Sequence, residues 1–203
     1  MGTNRLEAFS DGVIAVAITL LVLAIDVPKP QKGVSLGDAL GHNWPQFAAY
    51  ATSFLTIGII WINHHAMIGR LRETDHSILI LNLLLLMSIV ILPFATELMA
   101  AYLKEGHGEQ LAAAIYGGAF LVMSILFGAL NQHILLRRGH MLEPPMELAE
   151  RRRIMSRAAT GLIPYAIATA LALVSPYLTL AICAALAAFY ATPVASGGTL
   201  SRA

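Results

Sequence analysis

Charge is what this sequence lacks most. Only 12% of its 203 residues are Asp, Glu, Lys or Arg, about half the ~25% of a soluble domain. The 13 basic and 12 acidic residues leave a net charge of +1, so no nucleic-acid footprint is present. The single cysteine, Cys183, lies in an apolar run and excludes an intrachain disulfide. These shortages exclude a disordered chain, a disulfide-stapled secreted module and an ordinary water-soluble enzyme. What is there is apolar: 57% of the residues are hydrophobic. That balance belongs to a polytopic membrane protein.

A helix crossing the hydrocarbon needs ~20 mostly apolar residues, and six segments qualify: Leu6–Val27, Trp44–Gly69, Ile78–Leu103, Leu111–Leu136, Ile154–Val174 and Tyr177–Val194. No soluble domain fits between them, and no internal repeat is evident, so residues 1–203 read as one all-α membrane domain. Lipid-embedded backbone must satisfy its own hydrogen bonds, which makes these spans helices. Pro93 and Pro164 are expected to kink theirs. Ala113/Gly117 and Ala184/Ala188 place small residues four apart, where helices can approach closely. Arg5 before Val13–Ile25 invites a signal-peptide reading, but Glu7 and Asp11 interrupt it and no small-x-small cleavage site follows. The segment is expected to be retained.

Six spans put the N-terminus, the 2–3 and 4–5 loops and the C-terminus on one side. That side holds Arg5, Arg70, Arg72, Arg137, Arg138, Arg151, Arg152, Arg153, Arg157 and Arg202, ten basic residues against Lys29, Lys32 and Lys104 opposite. The asymmetry places both termini in the cytoplasm.

Polar residues inside spans are costly and point to function by default. Span one opens with Arg5, Glu7, Ser10 and Asp11; span two ends with Trp61, Asn63, His64 and His65; span three begins with Arg72, Asp75, His76 and Asn82. All three groups fall at the same membrane end. Three readings stand beside one another. A metal site from His64, His65 and Asp11 suffers because adjacent histidines sit about 100° apart on a helix, and no His-x-x-x-His or cysteine pair is present. A proton relay would use the near-neutral titration of histidine. A hydrogen-bond network locking span one to spans two and three is the simplest. Glu97, four residues after Pro93, either bonds backbone freed by the proline or faces water, and His133 reads as interfacial.

Span one carries a second pattern. Val16, Thr19, Leu20 and Leu23 fall at i, i+3, i+4 and i+7 and share a face about 100° wide. Asp11 lies about 140° away around the helix. One face is suited to polar anchoring, and the other presents branched apolar side chains with one hydroxyl. An apolar stripe alone fits packing or lipid contact as well as a pore.

The run from Arg5 through Phe9-Ser10-Asp11 to the apolar helix with Thr19 resembles the signature of the transmembrane protein 175 family of potassium channels. Trp61-Ile-Asn-His-His65, Asp75, Asn82 and the Pro93-Phe94 pair follow in matching order. The likeness covers the first half of the chain; the second half matches in hydropathy and span count. The resemblance implies cation channels selective for potassium without a Thr-Val-Gly-Tyr-Gly filter, and no such filter occurs here. It implies a homotetramer of six-helix subunits with the first helix around a central pore. Val16, Thr19, Leu20 and Leu23 then take pore-lining and gating positions, with Thr19 as the selectivity residue. Arg5, Phe9, Ser10, Asp11, Trp61, His64 and His65 take supporting ones, and Asp75 and Asn82 are read with the same interhelical network. The first constriction position is often Ile or Leu in the family. Val16 is smaller, which moves the expected narrowest layer to Leu20 or Leu23.

Stacked apolar rings gate by dewetting, and the Thr19 oxygen would replace part of the ion's hydration shell. Asp26, three residues beyond Leu23, reads either as a cation-attracting outer mouth or as a solvated end-of-helix acid. No cofactor or metal is expected beyond permeant potassium; the partners are further copies of the chain and membrane lipid. The rival is a proton channel or proton-coupled transporter using His64, His65 and Asp11. An intramembrane enzyme lacks a visible nucleophile-base pair, and a regulatory subunit would conduct nothing by itself.

Overall fold

The apolar runs fold as helices, and the fold is seen in a computed structural model that describes residues 3–30 and 32–192. The expected end of the sixth span at Val194, and Arg202, lie outside the described residues. Helix α1 runs Thr3–Leu20 and tightens into a 3-10 turn over Leu21–Ala24. After a short α2 (Leu36–His42) come α3 (Trp44–Ile68), α4 (His76–Val90), α5 (Leu92–Tyr102) and α6 (Glu109–Gln132). Then follow α7 (Leu148–Ala159), α8 (Leu162–Leu171) and α9 (Pro176–Tyr190).

Among the described residues, four helical stretches are long and apolar enough to cross a membrane: Thr3–Ala24, Trp44–Ile68, His76–Tyr102 and Glu109–Arg137. Leu162–Leu171 and Pro176–Tyr190 are apolar but shorter. The chain is thus an all-helical, multi-pass membrane protein.

Two prolines behave differently. Pro93 breaks the ladder inside the third span: α4 stops at Val90 and α5 starts at Leu92 with Pro93 in its first turn. The Ile89 carbonyl, which Pro93 cannot reach, receives the Ile91 N–H instead. Pro164 kinks nothing. The expected continuous span Ile154–Val174 is divided between α7, rich in arginine, and the apolar α8, with a break at Thr160–Gly161. Pro164 then sits in the first turn of α8, where its missing N–H costs no intrahelical bond. Span one is also shorter than expected: Ile25 is already extended, and Val27 is outside the helix.

The protomer's centre is built on α6. Tyr116 and Phe120 are fully buried there, edge to face, and Phe120 stacks on Tyr165 of α8 at 5.6 Å. Hydroxyls join three helices: Ser53 of α3 meets Thr96 of α5 at 2.8 Å and Tyr116 of α6 at 3.2 Å. Thr179 of α9 donates to the Ala168 carbonyl of α8 at 2.9 Å. Of the two small-residue pairs, Ala113/Gly117 is buried. A Cβ on Gly117 would lie 3.0 Å from Thr169 Oγ1 and 3.2 Å from its Cα, so this glycine permits a close approach of α6 and α8. Ala184 is half-buried and Ala188 exposed; Cys183 and Ala187, one position earlier, make the buried face of α9 instead.

At one end of the bundle the 2–3 and 4–5 connections pair. The Arg72 N–H donates to the Met141 carbonyl and the Glu143 N–H to the Arg70 carbonyl, at 2.9 and 2.8 Å. At the other end Lys104 donates to the His42 carbonyl at 2.8 Å.

Gly117→Leu is expected to destabilise the protein by about 1–3 kcal/mol, because Thr169 backbone cannot yield as a flexible side chain would. A lowered thermal midpoint in detergent checks this; Gly118→Leu, one residue away with no Cβ contact closer than 4.0 Å, serves as the tolerated control.

Candidate functional site

Helix α1 has two faces. Leu6, Ser10, Ile14, Ala17 and Leu21 are buried against α3, α4 and α5. Val16, Thr19, Leu20 and Leu23 lie on the outside, with Val16 57% and Leu23 69% exposed. None of the four fills the interior of the protomer. In a 3-10 turn residues three apart eclipse, so the turn from Leu21 stacks Leu23 over Leu20. The Thr19 hydroxyl donates to the Val16 carbonyl at 2.8 Å, which leaves its oxygen lone pairs outward.

The inner face is held by polar bonds in series. His64 Nε2 lies 2.7 Å from Asn82 Oδ1, a carbonyl oxygen that accepts, so Nε2 carries the proton. Asn82 Nδ2 donates to Ser10 Oγ at 3.0 Å, and Ser10 donates to the Leu6 carbonyl at 2.8 Å. Ser10, His64 and Asn82 are all fully buried. This chain ties α3, α4 and α1 in one direction of donation and leaves buried His64 Nδ1 without a partner. A second tie lies beside it: Trp61 Nε1 donates to Asp11 Oδ1 at 2.8 Å, and His65 Nδ1 meets Glu7 Oε1 at 2.8 Å.

The two histidines therefore do separate things. His64 points between helices and His65 outward, so His64, His65 and Asp11 do not converge. Among the described residues, the three potential metal-ligating side chains that do converge are Glu7, Asp11 and His65, with ligand atoms within 4.8 Å of one another. Glu7 is the member that residue spacing passed over; its i, i+4 relation to Asp11 was the available signal. Arg5 and Phe9 stay outside this network within the protomer. At 100° per residue they fall within about 20° of Val16, on the stripe's own face, and both are exposed.

Asp75 caps α4 through the Ile78 N–H at 2.8 Å. Its other oxygen receives Arg138 Nε at 2.6 Å and lies 3.4 Å from His133 Nε2. A widened π turn over His133–Arg137 brings His133 and Arg138 to one carboxylate. Burial pushes the Asp75 carboxyl up, but the Ile78 amide, Arg138 and His133 outweigh it and hold it below its ordinary value. His133 is thus a structural partner at the end of α6. Asp26, at the far end, exchanges two bonds with Gln46: its N–H donates to Oε1 at 3.0 Å, and Gln46 Nε2 donates to its carboxylate at 3.2 Å. Glu97 is exposed on α5, and it is Thr96 whose hydroxyl donates to the Leu92 carbonyl near the proline.

A multi-pass helical membrane protein whose first helix is braced on one side and bare on the other is the class that fold and site define. Residues 5–93 match the family model described as "Endosomal/lysosomal potassium channel TMEM175". A Streptomyces collinus protein named a potassium channel is 43% identical, covering 93% of this chain and 91% of that one. The crystal structure of a TMEM175 homologue from Chamaesiphon minutus superposes with a TM-score of 0.82 at 38% identity, covering 93% of this chain and 96% of that one. A mouse protein named an endosomal/lysosomal proton channel is 32% identical over 82% of this chain and 35% of its own length. The chain belongs to the TMEM175 family. The bacterial relatives align along nearly the whole chain, so the likeness extends past the first half to which the motifs had confined it.

Asn82→Leu strands His64 Nε2 and is expected to cost about 1–3 kcal/mol, seen as a lower thermal midpoint. For Asp75 the lowered carboxyl pKa sets the sign: its stabilisation is complete above the ordinary carboxylate value and is lost as pH falls through the lower native one. Asp75→Asn keeps a capping side chain but should flatten this part of the acid-side decline in thermal midpoint. An unchanged acid profile would deny Asp75 that role.

Proposed function

We propose that this chain is a potassium-selective cation channel, a homotetramer of one-domain, six-span subunits in which α1 surrounds a central pore. The observation that carries the proposal is the bare stripe Val16, Thr19, Leu20 and Leu23, set opposite the bonds from Asp11 and Ser10. The potassium-channel names of the bacterial relatives support the choice of ion. On this reading α8 and α9 are the fifth and sixth spans, and the arginine asymmetry puts both termini in the cytoplasm.

Four copies of Val16, Leu20 and Leu23 make stacked apolar rings. When narrow they expel water, and an ion meets a desolvation barrier. Because Leu23 eclipses Leu20, the two layers act as one thick constriction, wider toward Val16. Thr19 presents a hydroxyl oxygen whose proton is already committed to the Val16 carbonyl. Four such oxygens would replace part of a hydration shell, which favours potassium because it holds water less tightly than sodium. Four Asp26 carboxylates, steadied by Gln46, would attract cations to the outer end. Potassium is cargo here, and no resident cofactor enters the scheme.

Proton conduction is the second reading. It is favoured by the one-way chain from His64 to Leu6 with its open Nδ1, and by the name of the animal relatives. His65 and Asp11 stand outside that chain and would enter it only through water.

Reconstituted protein recorded in planar bilayers should give reversal potentials that follow the potassium gradient; potentials that follow pH would favour the second reading. Thr19→Ala is expected to keep conduction and reduce the potassium-over-sodium preference by roughly twofold to tenfold, equivalent to about 0.4–1.4 kcal/mol. Leu20→Ala or Leu23→Ala should raise leak or open probability. Unaltered currents in all three variants would remove α1 from the pore.

A further inference from the structure

A second feature lies on the far side of α3. Taking His64 as zero and 100° per residue, Trp61 and His65 point to about +60° and +100°, while on the other side lie Thr56 and Asn63, at about −80° and −100°, and Arg70 in the turn beyond the helix. The latter three border a cavity of about 230 Å³ enclosed by α3, α6, α7, α8 and α9. Along α3 its lining runs from Thr56 to Met67, eleven residues of helical rise or about 16 Å. Its deep walls are Met123, Phe127 and Tyr165. Its mouth, at the end where the 2–3 and 4–5 connections pair, is set by Arg70, Arg153 and Glu150.

The cations at this mouth are differently placed from their neighbours. Arg138 is paired with Asp75. Arg151 donates to the Met146 carbonyl and lies where a Cβ on Gly139 would collide with its guanidinium. Among the described residues, neither Arg70 nor Arg153 makes a side-chain hydrogen bond or ion pair, and Glu150 pairs with neither. Two free guanidinium groups against one carboxylate leave the mouth net positive. The buried Asn131 and the more exposed Asn63 each spend an amide N–H on their own helix, at Phe127 and Ile59. Their side-chain carbonyls are left as acceptors in the wall. An apolar cavity with guanidinium donors at its mouth has a complementary chemistry. Its ligand carries a hydrocarbon tail and a phosphate.

We propose that this cavity is a binding site for an anionic phospholipid, its phosphate held by Arg70 and Arg153 and part of one acyl chain laid along Met123 and Phe127. The volume suits part of one acyl chain and no bulky ligand. The break at Thr160–Gly161 is part of the site: Gly161 lines it, and the turn carries α7 over the mouth instead of continuing as a span. The site lies on the side of α3 away from α1, so its occupancy is measurable whatever ion the protein conducts.

The test uses purified, delipidated full-length protein in detergent, read by native mass spectrometry and by thermal midpoint. Phosphatidylglycerol should be retained at one molecule per chain and raise the midpoint by several degrees, with phosphatidylcholine binding about tenfold weaker. Lysophosphatidylglycerol and inorganic phosphate are the source controls. Binding of the diacyl form assigns a bilayer lipid, binding of the lyso form alone assigns a free single-chain amphiphile, and both support the site. A midpoint shift by phosphate alone overturns it. R70Q/R153Q should weaken phosphatidylglycerol binding about tenfold, leaving the lipid-free midpoint unchanged. Ser124→Leu fills the apolar depth while keeping both arginines, and should lose the lipid even if the double variant fails to fold. Equal retention of the two headgroups, or wild-type retention by Ser124→Leu, overturns the proposal.

Discussion

The rule that buried polar groups in a membrane helix must find partners fixes the orientation of α1. Ser10 donates to its own helix at Leu6 and takes one bond from across the contact, from the Asn82 amide, and Asn82 has its other bond to His64. Asp11 receives the Trp61 indole on the flank of the same contact. Rotating α1 by half a turn would break all three of its polar ties, Ser10–Asn82, Asp11–Trp61 and Glu7–His65. The stripe is bare because the opposite face is committed.

The rest of the bundle supplies what such a brace requires, a rigid wall. α3, which carries Trp61, His64 and His65, is pinned at its middle by the Ser53–Thr96–Tyr116 hydroxyl cluster. α4, which carries Asn82, is pinned at its start by Asp75, shared between the helix cap, Arg138 and His133. Behind them Gly117 lets α6 and α8 approach to backbone contact distance. Apolar packing distinguishes poorly between neighbours when lipid is equally apolar. Small residues and hydroxyls carry more of the specificity here than the leucines do.

The same wall has two working sides. Toward α1 it offers donors and acceptors in series. Toward α7–α9 it leaves a cavity whose mouth has two guanidinium groups without partners among the described residues. The arginines counted as a topological signal thus divide physically: Arg138 is structural, Arg151 is folded against Gly139, and Arg70 and Arg153 are open to a ligand.

Much of this was legible in the chain itself. Hydropathy determined the all-helical membrane class and the first four spans, because helical length is dictated by bilayer thickness. The 3.6-residue period determined that Val16, Thr19, Leu20 and Leu23 share a face and that Asp11 does not. The polar residues of three segments announced a common end. What only the tertiary structure decided is which partner each group takes. Adjacent His64 and His65 diverge, Glu7 joins the outer cluster, and Arg5 and Phe9 fall on the stripe's side. Likewise a proline inside an apolar run either breaks a helix, as Pro93 does, or starts one, as Pro164 does, according to where the preceding turn ends. Period and hydropathy are properties of one helix and survive without neighbours. Hydrogen-bond pairing and close approach belong to pairs of helices, and no single segment of the chain encodes them.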